Sequence, residues 1–278
     1  MTIIEKDNQK HKNHTHLKKA IREIEEILQR NNWKKAWDMH HWLIQSREID
    51  AFFKAANIFA LYLNYNDHGR SHGVIAARNA LKIYEILRTA KPPSLVNEGF
   101  GDEDDAALVI LVSAMLHDIG MAVHREVHYH HGVTIALSLL RDQLHAMYGD
   151  IEKSTIVLSH ILHGIYSHDE AVKCLTVEAG VVAIGDGLDM EQGRSRGPYQ
   201  RNKNDIHSLS AKSISKVDIL PGNDSKPVLL KVWMESHAGV FQLEEILLKK
   251  MDSSGIKPYF KVETLVHGNP IELPKLNT

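Results

Sequence analysis

One cysteine, Cys174, in 278 residues rules out an internal disulfide and any CxxC thiolate site, and it fits a reducing compartment. Neither sign of charge is in excess. Lys and Arg total 33 against 35 Asp and Glu, a formal net charge of −2. No global field therefore draws the chain to nucleic acid or to anionic membranes, although a local basic patch stays open. Long apolar runs are lacking too: the longest, residues 106–116, is too short to cross a bilayer. The first 16 residues are polar and rich in Lys, Asn and His, unlike a signal peptide or anchor. A cytoplasmic protein with no membrane partner is expected. Gly (17) and Pro (8) are modest, and no repeat or low-complexity tract interrupts an ordinary globular composition.

Histidine is what the chain has in number, at 19. Imidazole is the commonest metal ligand among side chains, so the places where histidines gather carry the information.

Apolar residues recur at helical spacing through most of the chain. After an unperiodic start, helices are expected over 16–30, over 35–65 with a break near Ser46, and over 74–88. Residues 64–69 read as a turn. The acidic run at 102–105 favours the start of a helix over 106–119 that is apolar nearly all round, so it should be buried at the centre and stopped by Gly120. Helices over 133–148, 151–165 and 176–190 follow. After residue 205 the pattern changes to strands at 216–220 and 227–233, a helix at 238–250 and a strand at 259–266. The expected fold is mainly α, with an N-terminal helical extension (1–51), a helical domain (52–205) and a small C-terminal α+β unit of β-β-α-β order (206–278). The histidines at 11, 14, 16, 40 and 41 are expected at the surface. Trp33, Trp37 and Trp42, at near-helical spacing, are expected to pack.

The chemistry gathers at Leu116-His117-Asp118-Ile119-Gly120, which ends the apolar helix. An ionised carboxylate in so apolar a place is costly unless a cation or hydrogen-bond donor meets it. His117 and Asp118 could simply pair with each other or cap neighbouring helices. Other elements add to them: His72 opens a helix with His68 four residues before, and His130 and His131 begin another. His160 and His163 lie one turn apart, as do Asp186 and Asp189. Mixed imidazole and carboxylate donors suit Mn, Fe or Zn rather than Ca, and no HExxH pattern is present.

In order and spacing, His72, His117-Asp118 and Asp186 resemble the His, His-Asp, Asp signature of the HD superfamily, and residues 116–120 resemble its HDIG subclass. The continuation through Glu126 to His131 is similar to the HD domain of the ribonuclease Y family. His160 matches a further histidine of two-metal HD domains, and residues 181–189 resemble an "ADxLD" segment with Gly185 in place of Ala. The wider pattern is similar to a group of uncharacterised, mainly archaeal HD proteins.

The resemblance implies an HD-domain helical bundle and a metal-dependent phosphohydrolase, with His117 and Asp118 at the catalytic centre. One or two divalent ions (Mn, Fe, Zn, Ni or Mg) would be held there: His72, His117, Asp118 and Asp186 around the first, and His131 and His160, with Asp118 bridging, around the second. His68, His163 and Asp189 are expected to orient these ligands. The substrate would be a phosphomonoester or phosphodiester, a nucleotide or nucleic-acid-derived compound; RNA and homo-oligomer formation stay open as partners. Many HDIG domains continue with a phosphate-gripping Lys where this chain has Met121. Arg125, Arg194 and Arg196 are candidates to replace it, against the competing reading of a solvated basic loop at 193–197. The alternative function is a non-catalytic metal- or nucleotide-binding regulator with a C-terminal sensing or dimerisation unit.

Overall fold

The computed structural model describes residues 3–63, 69–191, 210 and 212–277. Nine helices precede the sheet among them: α1 (Ile3–Arg30), α2 (Lys34–Gln45), α3 (Arg47–Tyr62), α4 (Arg70–Leu87), the short α5 (Ser94–Asn97), α6 (Glu103–Leu116), α7 (His128–Tyr148), α8 (Ile151–Tyr166) and α9 (Val177–Gly187). A single 3-10 turn, Ile119–Ala122, follows α6. The helix expected to begin near residue 16 extends back to Ile3, and the expected break at Ser46 separates α2 from α3. The turn expected at 64–69 lies outside the described residues except for Gly69.

Helix α6 carries no polar stripe, and every residue from Asp105 to Leu116 is buried. Its start is fixed by a reciprocal cap. Asp102 accepts from the Asp105 N–H while Asp105 accepts from that of Asp102, which satisfies donors that a helix start leaves open. Lys35 and Lys153 then neutralise buried Asp105, at 2.5 and 2.7 Å. Glu103–Ala122 has the length and apolarity of a membrane-crossing helix, yet 94% of its most apolar window is buried inside the protein.

Helix α4 packs on both α6 and α9, and glycine permits both approaches: a Cβ on Gly73 would stand 2.5 Å from the Met115 carbonyl oxygen, and one on Gly185 2.8 Å from the Ala80 Cβ of α4. His72, the neighbour of Gly73, is thereby brought alongside the end of α6.

The C-terminal sheet has four strands in sequential order: β1 (Ile214–Pro221), β2 (Val228–Met234), β3 (Phe260–Val266) and β4 (Asn269–Ile271). The β1–β2 and β3–β4 pairs are antiparallel, and β2–β3 is parallel. Alternation along β2 and β3 buries Val228, Leu230, Val232, Phe260 and Val262 on one face. The parallel pair needs a crossover, supplied by a helix over 239–253 (α10): Gly239–Gln242, a wider π-wound stretch Leu243–Leu248, and Lys249–Ser253. Strand β4 was not expected from the sequence; at three residues it is too short to show alternation. One buried cluster takes in residues from α1, the central helices and the sheet, so the three expected segments share a core.

His40, expected at the surface, is fully buried. Burial pushes its pKa down to about 4, with His41 and Arg70 adding to the effect. The unfolded chain then takes up a proton below about 6.5 that the folded chain refuses until about 4, so the stability due to neutral His40 is complete above 6.5 and is lost as pH falls. Denaturant titration at pH 7 and pH 5 should show His40→Leu losing about 2 kcal/mol less than wild type over that interval. Equal losses would show that His40 does not titrate as described.

Candidate metal centre

Histidine side chains meet where helices end. His72 lies in the first turn of α4, and His117 caps the C-terminus of α6, followed by Asp118. His128 is the first residue of α7, His168 stands two residues past the end of α8, and Asp186 is the penultimate residue of α9. All six are at most 6% exposed.

The ring nitrogens are oriented by their outer partners. His117 Nδ1 donates to the Ala114 carbonyl (2.8 Å), His128 Nδ1 to the Arg125 carbonyl (3.1 Å) and His168 Nδ1 to the Ile165 carbonyl (2.7 Å), each three residues back in the chain. His72 Nδ1 donates to Asp189 Oδ2 at 2.7 Å. A carbonyl oxygen only accepts, so the proton sits on Nδ1 and a neutral ring must present a lone pair at Nε2.

Those lone pairs point at one another. His72 Nε2 is 3.1 Å from His117 Nε2 and 2.9 Å from Asp186 Oδ1. His117 Nε2 is 3.5 Å from Asp186 Oδ1 and 3.3 Å from Asp118 Oδ2. On the other side of Asp118, Oδ1 is 3.2 Å from His128 Nε2 and 3.7 Å from His168 Nε2, which lie 3.0 Å apart. Asp118 thus offers one oxygen to each side.

Burial alone would raise the pKa of Asp186, but Lys250, His117 and the His72 contact outweigh it and hold the carboxyl well below its usual range. Burial pushes His168 well below the usual imidazole range, and His117, His128 and Lys250 add to that, so the ring is neutral at physiological pH. Asp186 Oδ1 is buried and accepts no well-directed hydrogen bond. Imidazole nitrogens beside carboxylates, the Asp186 carboxylate among them, are a mixed donor set that could hold a metal ion. The separations suit one as well: two nitrogens about 2.1 Å from a common ion at right angles lie about 3 Å apart. Two overlapping buried groups, His72–His117–Asp186 and His117–Asp118–His168, could each hold a metal ion.

Of the residues named from the sequence, His72, His117, Asp118 and Asp186 come together, and Asp189 fixes the His72 ring. His131 and His160 do not enter the second group. His131 lies one turn beyond His128 and is partly exposed, while His160, in the body of α8, has its Nε2 3.9 Å from Glu98. Their places beside Asp118 are taken by His128 and His168. His163 accepts the Leu175 N–H at 3.0 Å, which secures the loop after α8 rather than a ligand. Arg125 contributes its carbonyl to His128. His68, Arg194 and Arg196 lie outside the described residues.

His168 and Lys250 were missed. The Lys250 ammonium reaches Asp186 Oδ2 at 2.7 Å and the His168 carbonyl at 2.7 Å. One local signal bears on His128: Val127, immediately before it, is β-branched yet adopts a left-handed backbone (φ 49°), a strained choice that collects at functional sites. Gly120 serves the same corner, because a Cβ there would fall 1.9 Å from the His128 carbonyl oxygen.

The uncharacterised protein MJ1020 of Methanocaldococcus jannaschii is 43% identical over 222 residues, covering 79% of this chain and 85% of that protein. The chain belongs to the MJ1020 family. No family model and no solved structure matches it.

In this member of the MJ1020 family, metal binding at the His72 and His117 groups should depend on the contacts that orient their Nε2 donors. Asp189→Leu, which removes the His72 anchor, should weaken binding of Mn or Co by about 10- to 100-fold in calorimetric titration. His168→Ala should lower the ion count per chain while leaving the His72 group loaded. Unchanged affinity in the first variant, or an unchanged count in the second, would show that these contacts do not organise a metal site.

Proposed function

We propose that this protein is a metal-dependent phosphohydrolase of the HD type, acting on a phosphomonoester or phosphodiester of nucleotide or nucleic-acid origin. The observation that carries this reading is the meeting of His72, His117, Asp118 and Asp186 at one point, from segments spread over more than a hundred residues. The resemblance of those same four positions, in order and spacing, to the HD signature supplies the reaction class; the MJ1020 relative, itself uncharacterised, supplies none.

Bound divalent ions would polarise a phosphoryl oxygen and lower the pKa of a water able to attack phosphorus. The residues of the chain supply the rest. Asp118 divides its oxygens between the two donor groups, which keeps both at a fixed spacing. The backbone-anchored imidazoles present their lone pairs without reorganisation, so little is lost in ordering them when the site is loaded.

Met121 is 1% exposed and packs with Ala56 and Ala60 of α3, so this position gives apolar contact and no phosphate grip. Arg125, on the turn whose carbonyl holds His128, is the described arginine we assign to the phosphate.

A panel of esters, including bis(p-nitrophenyl) phosphate, p-nitrophenyl phosphate and nucleotides, with Mn added, tests the proposal. Turnover of at least one ester should require metal and disappear with a chelator. Asp118→Ala should lower it by about two orders of magnitude or more while retaining a folded circular-dichroism spectrum. If every ester is inert with metal demonstrably bound, the non-catalytic regulator takes its place. Near-normal turnover by Asp118→Ala would remove Asp118 from the mechanism.

A further inference from the structure

Lys250 is the one cation of the C-terminal segment that the described contacts bring into the donor cluster. It sits on α10, just past the π-wound turn, and is 7% exposed. Its ammonium is held by Asp186 Oδ2 and by the His168 carbonyl, so a single charge touches one residue from each donor group. Room for its stem is provided by Gly187, whose missing Cβ would stand 3.0 Å from Lys250 Cδ. A lysine so deeply buried is rare unless it is paired, and here the pairing is with a carboxylate whose other oxygen faces His72.

The consequence for coordination is direct. Asp186 has two oxygens, and the ammonium occupies Oδ2. Only Oδ1 is left for an ion held with His72 and His117. The His72 side of the cluster thus presents two imidazole nitrogens and single oxygens from Asp186 and Asp118, a small mixed set that suits transition ions. Calcium takes six to eight oxygens and commonly uses both oxygens of a carboxylate.

We propose that Lys250 sets the ion selectivity of the centre, by withholding one oxygen of Asp186 and so favouring transition ions over calcium. The proposal rests on the metal-centre reading above and adds the C-terminal unit to that centre. Removing the lysine makes the cluster more negative by one charge, which strengthens binding of every divalent ion alike and cancels from a ratio of affinities. The released Oδ2 does not cancel: it adds an oxygen that calcium uses more than cobalt does. A lysine that merely supported the fold would, when lost, weaken both ions together.

The test is calorimetric titration of the full chain with Co2+ and with Ca2+ for wild type, Lys250→Met and Lys250→Gln. Wild type should prefer Co2+, and in the variants the ratio of the Ca2+ dissociation constant to that of Co2+ should fall by roughly tenfold or more. The visible absorption of bound Co2+ should weaken as its coordination number rises. If Lys250→Met does not fold, Lys250→Gln, with a polar head at this buried position, carries the same comparison. A ratio within twofold of wild type in the folded variants would overturn the role of Lys250 while leaving the metal centre standing. A wild-type protein that binds neither ion would overturn the metal centre itself, before any variant is compared.

Discussion

Four imidazole nitrogens face one another in two close pairs, with the carboxylates of Asp118 and Asp186 among them. Each Nδ1 proton is already committed to a carbonyl or to Asp189, so no ring can donate inward without taking on a charge. Charging all four would set cations about 3 Å apart in a buried place, at a large desolvation cost. A cation from outside could be held by this arrangement.

Helix ends organise this arrangement. A helix terminus leaves backbone carbonyls or N–H groups without partners, and a histidine there can anchor its Nδ1 locally while its Nε2 projects beyond the helix. His117 and His168 use a carbonyl three residues back near the ends of α6 and α8, and His128 uses the turn that opens α7. Close helix crossings then bring these ends together. Gly73 lets α4 lie against α6, and Gly120 lets the turn after Asp118 sit on the start of α7. The extended buried core holds the ends in register, and the capped, fully buried α6 forms its axis.

Much of this was legible in the sequence, and the parts that were not share a cause. Periodicity exposed the buried α6, the α4 stripe and the α+β tail, because each depends on local spacing. His72, His117, Asp118 and Asp186 were named from their order and spacing along the chain, and the structure brings them together. The second group was not legible. His131 was preferred over His128 by its offset from Asp118, yet the left-handed Val127 begins α7 so that its first residue, one turn earlier, faces inward. His160 was named for its match to a further histidine of two-metal HD domains, whereas the cluster draws on His168, two residues past the end of α8. Lys250 was beyond reach: its contact with Asp186 joins residues 64 positions apart in different segments, and nothing in its local sequence marks it. His40 looked like a surface residue because it has no matching partner nearby; in the structure it has none either, and it is buried neutral.

The central claim is that His72, His117, Asp118 and Asp186 surround a common cation. Diffraction from crystals of the full chain grown with Mn, with data collected on both sides of the Mn absorption edge, would test it most directly. The account predicts an anomalous peak about 2.1 Å from His72 Nε2, His117 Nε2 and Asp186 Oδ1. No peak there, with the four side chains well ordered and the ion absent or bound elsewhere, would contradict it.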